Sequence, residues 1–224
     1  AGCFGCISEQ PADRGFVSPQ TRLDFRPTVD EIVEVMLEHL TAPDRIISFG
    51  QGCEGEPATQ ARLIVEAIRR VRASTSQGYI NINTNAGLTD QIRWIVDAGL
   101  DLMRVSTISA IDEHYNAYYM PRGYTLRNVE KSLRYAADQG VYTSINYLVF
   151  PGVSDREEEI EAMIGFARRT GLKLIQLRNL NIDPESYLEL IPKARGEALG
   201  MARMIDIFRE ELPDVAIGSY THVP

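Results

Sequence analysis

The sequence predicts an α/β fold, a partial (β/α)6-type TIM barrel of parallel strands with outer helices. Two observations predict it. Short β-branched runs alternate with amphipathic stretches of about 10 to 18 residues, the pattern of parallel strands joined by crossover helices. A polar turn follows each strand, and right-handed crossovers curl such units into a barrel or a doubly wound sheet, the barrel being favoured here. With 224 residues, 44% of them hydrophobic, one domain spanning 1–224 has material for a real core.

Each element has a local reason. Thr28 and Glu31 stand at capping-box spacing for a helix to about Leu40, and Arg45 to Phe49 reads as the first strand. Pro57 opens a helix to Arg72, because its fixed φ suits a first helical turn. Tyr79 to Thr84 is a strand, Thr89 to Ala98 a helix, and Leu102 to Thr107 a strand. Helical pieces at Asp112 to Tyr119 and Leu126 to Gln139 precede a strand at Val141 to Phe150. Ser154 and Glu157 form a second capping-box pair for a helix to Arg169, and Leu172 to Leu177 is a strand. A helix from Ala194 to Glu211 leads to a short strand near Val215 to Gly218.

The formal charge of −8 argues against general nucleic-acid binding and against attraction to an anionic membrane surface. No apolar run reaches the ~20 residues that span a bilayer, so no membrane partner is expected and a cytoplasmic location is. Three cysteines, Cys3, Cys6 and Cys53, are too sparse for a disulfide framework. Metal, redox or packing roles remain for them.

In either α/β architecture ligands bind at the carboxyl ends of the strands. After the first strand comes Gly50-Gln51-Gly52-Cys53-Glu54-Gly55-Glu56-Pro57, whose glycines admit a ligand to the backbone and whose carboxylates suit an ammonium group. The same residues also suit a plain strand-to-helix turn. Glu54 and Glu56 would repel phosphates, which disfavours a nucleotide loop. Later strand ends deliver Asn83 and Asn85, Ser106, Asn146, then Gln176-Leu177-Arg178-Asn179. Each set has a bland reading as turn chemistry, yet all converge on one rim.

At these residues the chain resembles the radical S-adenosylmethionine (radical SAM) superfamily. Cys3-Phe4-Gly5-Cys6 is similar to the last two cysteines of its CxxxCxxC loop, and Glu54-Gly55-Glu56-Pro57 to its Gly-Gly-Glu-Pro motif. The runs FGQGCEGEP, NINTNAG, NYLVFPGVSD and RNLNIDP resemble a branch with no settled substrate. The resemblance implies a 4Fe-4S cluster held by three thiolates, with Cys3 and Cys6 as two of them, and SAM on the open iron. Reductive cleavage of SAM would then yield a 5′-deoxyadenosyl radical that abstracts substrate hydrogen. It further implies that the run Glu54-Gly55-Glu56-Pro57 binds the cofactor, Glu56 with the backbone around Gly55 receiving the SAM ammonium and Pro57 setting the helix start. Ser106, Asn83, Asn85, Asn146, Arg178 and Asn179 would contact ribose and carboxylate, with substrate binding the alternative for Arg178, and Gly5 the adenine edge. The family usually places an aromatic residue just before the last cysteine, where this chain has Gly5, its aromatic Phe4 standing one place earlier.

No catalytic side chain is implied. The implied partners are SAM, an electron donor such as flavodoxin or ferredoxin, and an unknown substrate that is a small molecule, peptide or protein. The third cysteine and the first strand are expected upstream of Ala1. Two other readings stay open: a non-redox β/α-barrel lyase, which would need a strand-end lysine or phosphate loop, and a zinc- or iron-binding domain without catalysis, which would need a second cysteine or histidine pair. A thioredoxin-like oxidoreductase fails on the many β/α units. The histidines, His39, His114 and His222, read as surface or satisfied side chains.

Overall fold

The computed structural model describes residues 2–6, 22–50, 55–180, 182–193 and 195–219. Its centre is a six-stranded, all-parallel sheet in the order β1 to β6, each strand beside its sequence neighbour. The strands are β1 (Ile46–Phe49), β2 (Tyr79–Thr84), β3 (Leu102–Thr107), β4 (Tyr142–Val149), β5 (Leu174–Asn179) and β6 (Ala216–Gly218). The helices are α1 (Val29–His39), α2 (Ala61–Ser74), α3 (Thr89–Asp97), α4 (Asp112–Tyr119), α5 (Leu126–Asp138), α6 (Glu157–Thr170), α7 (Pro184–Leu190) and α8 (Met201–Glu211). This is a partial TIM-type barrel, an open sheet with helices outside.

The register sorts the strand residues into two faces, since side chains alternate along a strand. One face carries Ile80, Ile82, Met103, Val105, Ile145 and Ile175, all fully buried. Against it pack the apolar stripes of the helices, including Ile68 and Val71 of α2, Ile92 and Ile95 of α3, Leu133 of α5 and Met163 of α6. The opposite, inner face is polar: Ser48, Asn81, Asn83, Arg104, Ser106, Ser144, Asn146, Gln176 and Arg178 share its rows. Burying about 25 cal/mol per Å2 of apolar area drives the outer face onto its helices. Apart from the buried Leu102 and Leu174, the inner face contributes little such burial and is left for chemistry.

Several boundaries differ from the expected ones. Thr28 and Glu31 do form their capping box. Ser154 caps nothing: its hydroxyl accepts from Phe150 N at 2.9 Å, closing a turn, and Arg156 stands at the N-cap of α6 without a side-chain cap bond. Pro57 opens a 3₁₀ turn, Pro57–Gln60, before α2 begins. The last helix starts at Met201 rather than near 194, because the preceding backbone is tied to the start of α6. Arg195 N donates to Glu158, Glu197 N donates to Glu157, and Ala198 bridges Arg156. Helix α7 was not expected, though Asp183 caps it by accepting from Ser186 N at 2.8 Å and Pro184 occupies its first turn.

Candidate active site

The turn after β1 is organised by Glu56. Its Oε1 accepts from Ala58 N (3.0 Å) and the Thr84 hydroxyl (2.5 Å), and its Oε2 from Asn85 N (2.7 Å). The carboxylate thereby joins the end of β1 to the end of β2 and caps the 3₁₀ turn. Burial pushes its pKa up, against the three hydrogen bonds that favour the ionised form. Gly50 supports the same junction: at φ 76° it sits so close to Asn83 O that a Cβ would stand 2.3 Å from it, a place only glycine fits. Gly55 precedes Glu56 at φ 104° in open space. Glu54 and Cys53 lie outside the described residues.

The cysteine loop docks on α4. Phe4 N donates to Tyr118 O at 2.9 Å, Cys6 N donates to Cys3 O at 3.1 Å, and Cys3 and Phe4 pack against the core. Helix α4 presents Tyr115, Tyr118 and Tyr119, all buried, with Tyr115 and Tyr119 ring centroids 4.6 Å apart and Tyr118 and Tyr119 4.8 Å apart. Burial is the main cause that raises the Tyr115 phenol and pushes Tyr124 up to about 12, and the charges of both Cys3 and Glu56 add to each.

The remaining expected residues fall into three groups. Ser106 and Asn146 are register partners on the inner face, with Asn83 on the same face one strand over. Arg178 joins that face at the exposed end of β5, whereas alternation turns Asn179 to the other face. Asn85 spends its Oδ1 on Gly87 N at 2.8 Å, so its side chain closes the turn while its backbone serves Glu56. Pro57 stands at the first position of the 3₁₀ turn.

Sequence reading assigned no role to two inner-face residues. Arg104, half buried in β3, has its pKa lowered first by desolvation and then by the nearby Arg178. Gln176 in β5 is fully buried and neither of its amide atoms has a hydrogen-bond partner among the described residues. Period-2 alternation within each strand was the signal available, but only the interstrand register shows that these side chains share a face.

His114 belongs to a different, structural cluster. It and Glu159 are 3% and 1% exposed and bonded to one another, and the Ser109 hydroxyl lies 2.9 and 2.8 Å from the two Glu159 oxygens. The hydrogen bond to Glu159 raises the His114 pKa. This network ties α4, and so the floor of the cysteine loop, to α6.

The loop can supply two of the three thiolates that a CxxxCxxC cluster site needs, and thiolate is the soft ligand such iron takes. Among the described residues no group of three or more His, Cys, Asp or Glu could hold a metal alone. For SAM the fit rests on the polar inner face, where the Asn146 Oδ1 and the Gln176 amide are buried without partners among the described residues.

Fold and site together define a partial β/α barrel with a cysteine loop and an acidic turn at its strand ends. The model of the radical SAM superfamily matches residues 1–166, and the chain belongs to that superfamily. A probable dual-specificity RNA methyltransferase RlmN from Chlorobium luteolum is 35% identical over 123 residues, covering 50% of this chain and 34% of that protein. The chain thus spans about a third of that relative. Among solved structures, methylornithine synthase (PylB) superposes with a TM-score of 0.61 at 15% identity, covering 96% of this chain and 60% of that one. Streptococcus suis SuiB bound to S-adenosylmethionine gives 0.59 at 13% identity, covering 89% and 45%. These two likenesses establish the fold. Among the described residues no helix is long and apolar enough to cross a membrane.

Proposed function

We propose that this chain is the cofactor-binding core of a radical SAM enzyme acting on a substrate not yet known. The reading is carried by the superfamily match over residues 1–166, supported by Glu56 bound at the end of β2 and the Cys3 loop docked on α4. When bound, the 4Fe-4S cluster and SAM supply reductive cleavage to a 5′-deoxyadenosyl radical that takes hydrogen from substrate. The chain's own residues hold and orient the cofactor. Cys3 and Cys6 ligate iron. Among the described residues Glu56 takes three donors on a carboxylate's roughly four acceptor sites, and the remaining one suits the SAM ammonium beside the Gly55 backbone. Ser106, Asn83 and Asn146 suit ribose, Arg178 suits the SAM carboxylate, and the buried tyrosines exclude water from the patch.

A flavodoxin or ferredoxin would supply the electron, in the cytoplasm. RNA methylation is not carried over from the relative, because a chain of charge −8 has no general attraction for a polyanion.

The test is anaerobic expression from the full open reading frame and reconstitution with iron and sulfide, followed by SAM titration. A 4Fe-4S absorbance with saturable SAM binding, lost in Glu56→Ala while the cluster absorbance persists, is expected. Absence of both cluster and SAM binding in the wild type contradicts the proposal.

A further inference from the structure

Two side-chain amides meet on one row of the inner face. Ser106, Asn146, Gln176 and Gly218 are register partners across β3 to β6, so neighbours in the row stand roughly 5 Å apart on the same side of the sheet. Gln176 is 0% exposed, and neither its Oε1 nor its Nε2 has a hydrogen-bond partner among the described residues. The Oδ1 of Asn146, beside it, is buried in the same state. Buried polar groups left so weaken a fold unless something outside the chain meets them.

The row has space and access. A Cβ on Gly218 would meet nothing within 4 Å, so the flank of Gln176 that faces β6 is open. Ser106, Asn146 and Gly218 are half-buried, and Arg178, two residues beyond Gln176 on the same face, is exposed. Gln176 is thus the covered member of a row whose other members reach solvent.

The pattern of unmet groups selects the chemistry of the ligand. Oε1 calls for a donor, Nε2 for an acceptor, and the Asn146 Oδ1 for a second donor. An anion brings acceptors alone and sets its charge against two amide oxygens. A cation brings donors alone and leaves Nε2 unmet. A trans peptide amide points its N–H and C=O to opposite sides. A cis amide, as in a primary carboxamide or a lactam, presents both on one edge and pairs head to tail with the Gln176 amide.

We infer that Gln176, bordered by Asn146 and Gly218, is a substrate subsite for a neutral cis amide of a small molecule, borne by a primary carboxamide or a lactam ring. The inference rests on the proposed function only in calling the occupant a substrate.

The experiment uses the protein expressed from its full open reading frame, as isolated, and reads binding instead of turnover. The side-chain amide signals of Gln176, assigned in isotope-labelled protein by their loss in Gln176→Met, are followed by NMR while propionamide or γ-butyrolactam is titrated. A saturable shift with half-effect on the order of millimolar is expected in at least one arm. A response to propionamide alone assigns an open carboxamide, and a response to the lactam alone a ring. The N-methyl derivative of the responding amide, which keeps the acceptor and has no N–H on the pairing edge, is expected to bind about tenfold more weakly or worse. Gln176→Met, which keeps the chain length and removes the orphaned amide, is expected to raise Tm. Gly218→Val, whose Cβ begins in open space, is expected to fold as the wild type does and to abolish the saturable shift. No saturable shift with either amide overturns the inference, an enclosed water then sufficing for Gln176. Equal binding of the N-methyl derivative overturns it, and so does a Gly218→Val variant that binds as the wild type does. Adenosine is titrated in parallel. A response to adenosine with none to the amides overturns the substrate assignment in favour of the SAM adenine, whose edge pairs with a glutamine amide in the same way. If the reconstituted enzyme binds no SAM, the proposed function falls while the amide titration still decides the subsite.

Discussion

The phenol oxygen of Tyr118 occupies the space that a Cβ on Gly5 would take, 2.5 Å from that position. Tyr118 O also accepts from Phe4 N. One residue of α4 thus grips the cysteine loop by its backbone and fixes its side-chain size.

Adding a methyl at Gly5 therefore forces Tyr118 out of a site where it is 3% exposed. Gly5→Ala is expected to cost about 1–3 kcal/mol, the range for overpacking a filled site, and to lower iron retained after reconstitution. Tyr118→Phe, lacking the offending oxygen, is expected to restore part of both. The double-mutant cycle in urea unfolding checks the coupling, and additive effects would remove the contact from the account.

Glu56 inverts the usual carboxylate contribution. Its folded pKa is raised from 4.5 by burial, so the folded state holds its proton more tightly than the unfolded one. Protonated Glu56 carries no desolvation cost. As pH rises from 4.5 through the raised value, stability from this group falls. The stability difference between wild type and Glu56→Ala is therefore expected to shrink as pH rises through that window. Denaturant midpoints at stepped pH check this, and a difference that grows with pH contradicts it.

His114 gives the opposite test. Its folded pKa is raised above 6.5 by the hydrogen bond to Glu159, so its contribution is fully present below pH 6.5 and is lost as pH rises through the folded value. His114→Asn should cost most on the acid side and least above that window. Glu159→Ala, which strands the Ser109 hydroxyl and His114 in a buried place, is expected to cost about 3–5 kcal/mol. Because the pair anchors α4, iron retention should fall with it.

Strands β2 and β3 and helix α4 were legible in the sequence to the residue, since β-branched runs or a compact helical pattern bounded by polar turns set their ends. The Ser154–Glu157 capping pair was misread because Ser154 can serve either a helix or a turn, and tertiary context chose Phe150 N. The late start of α8 depends on bonds from residues near 195–198 back to Glu157 and Glu158, about 40 positions away in sequence. No local pattern encodes those. Glu56 stood out as an acidic residue before proline, but its bonds to Thr84 and Asn85 needed the parallel pairing of β1 and β2. The shared face of Arg104 and Gln176 needed the interstrand register for the same reason.

The central claim is most directly tested by measuring 5′-deoxyadenosine. The protein, reconstituted anaerobically and reduced with dithionite in the presence of SAM, is expected to release 5′-deoxyadenosine, with formation lost in Cys3→Ala. A wild-type protein that carries a full 4Fe-4S complement yet yields no 5′-deoxyadenosine above the Cys3→Ala background would contradict the account.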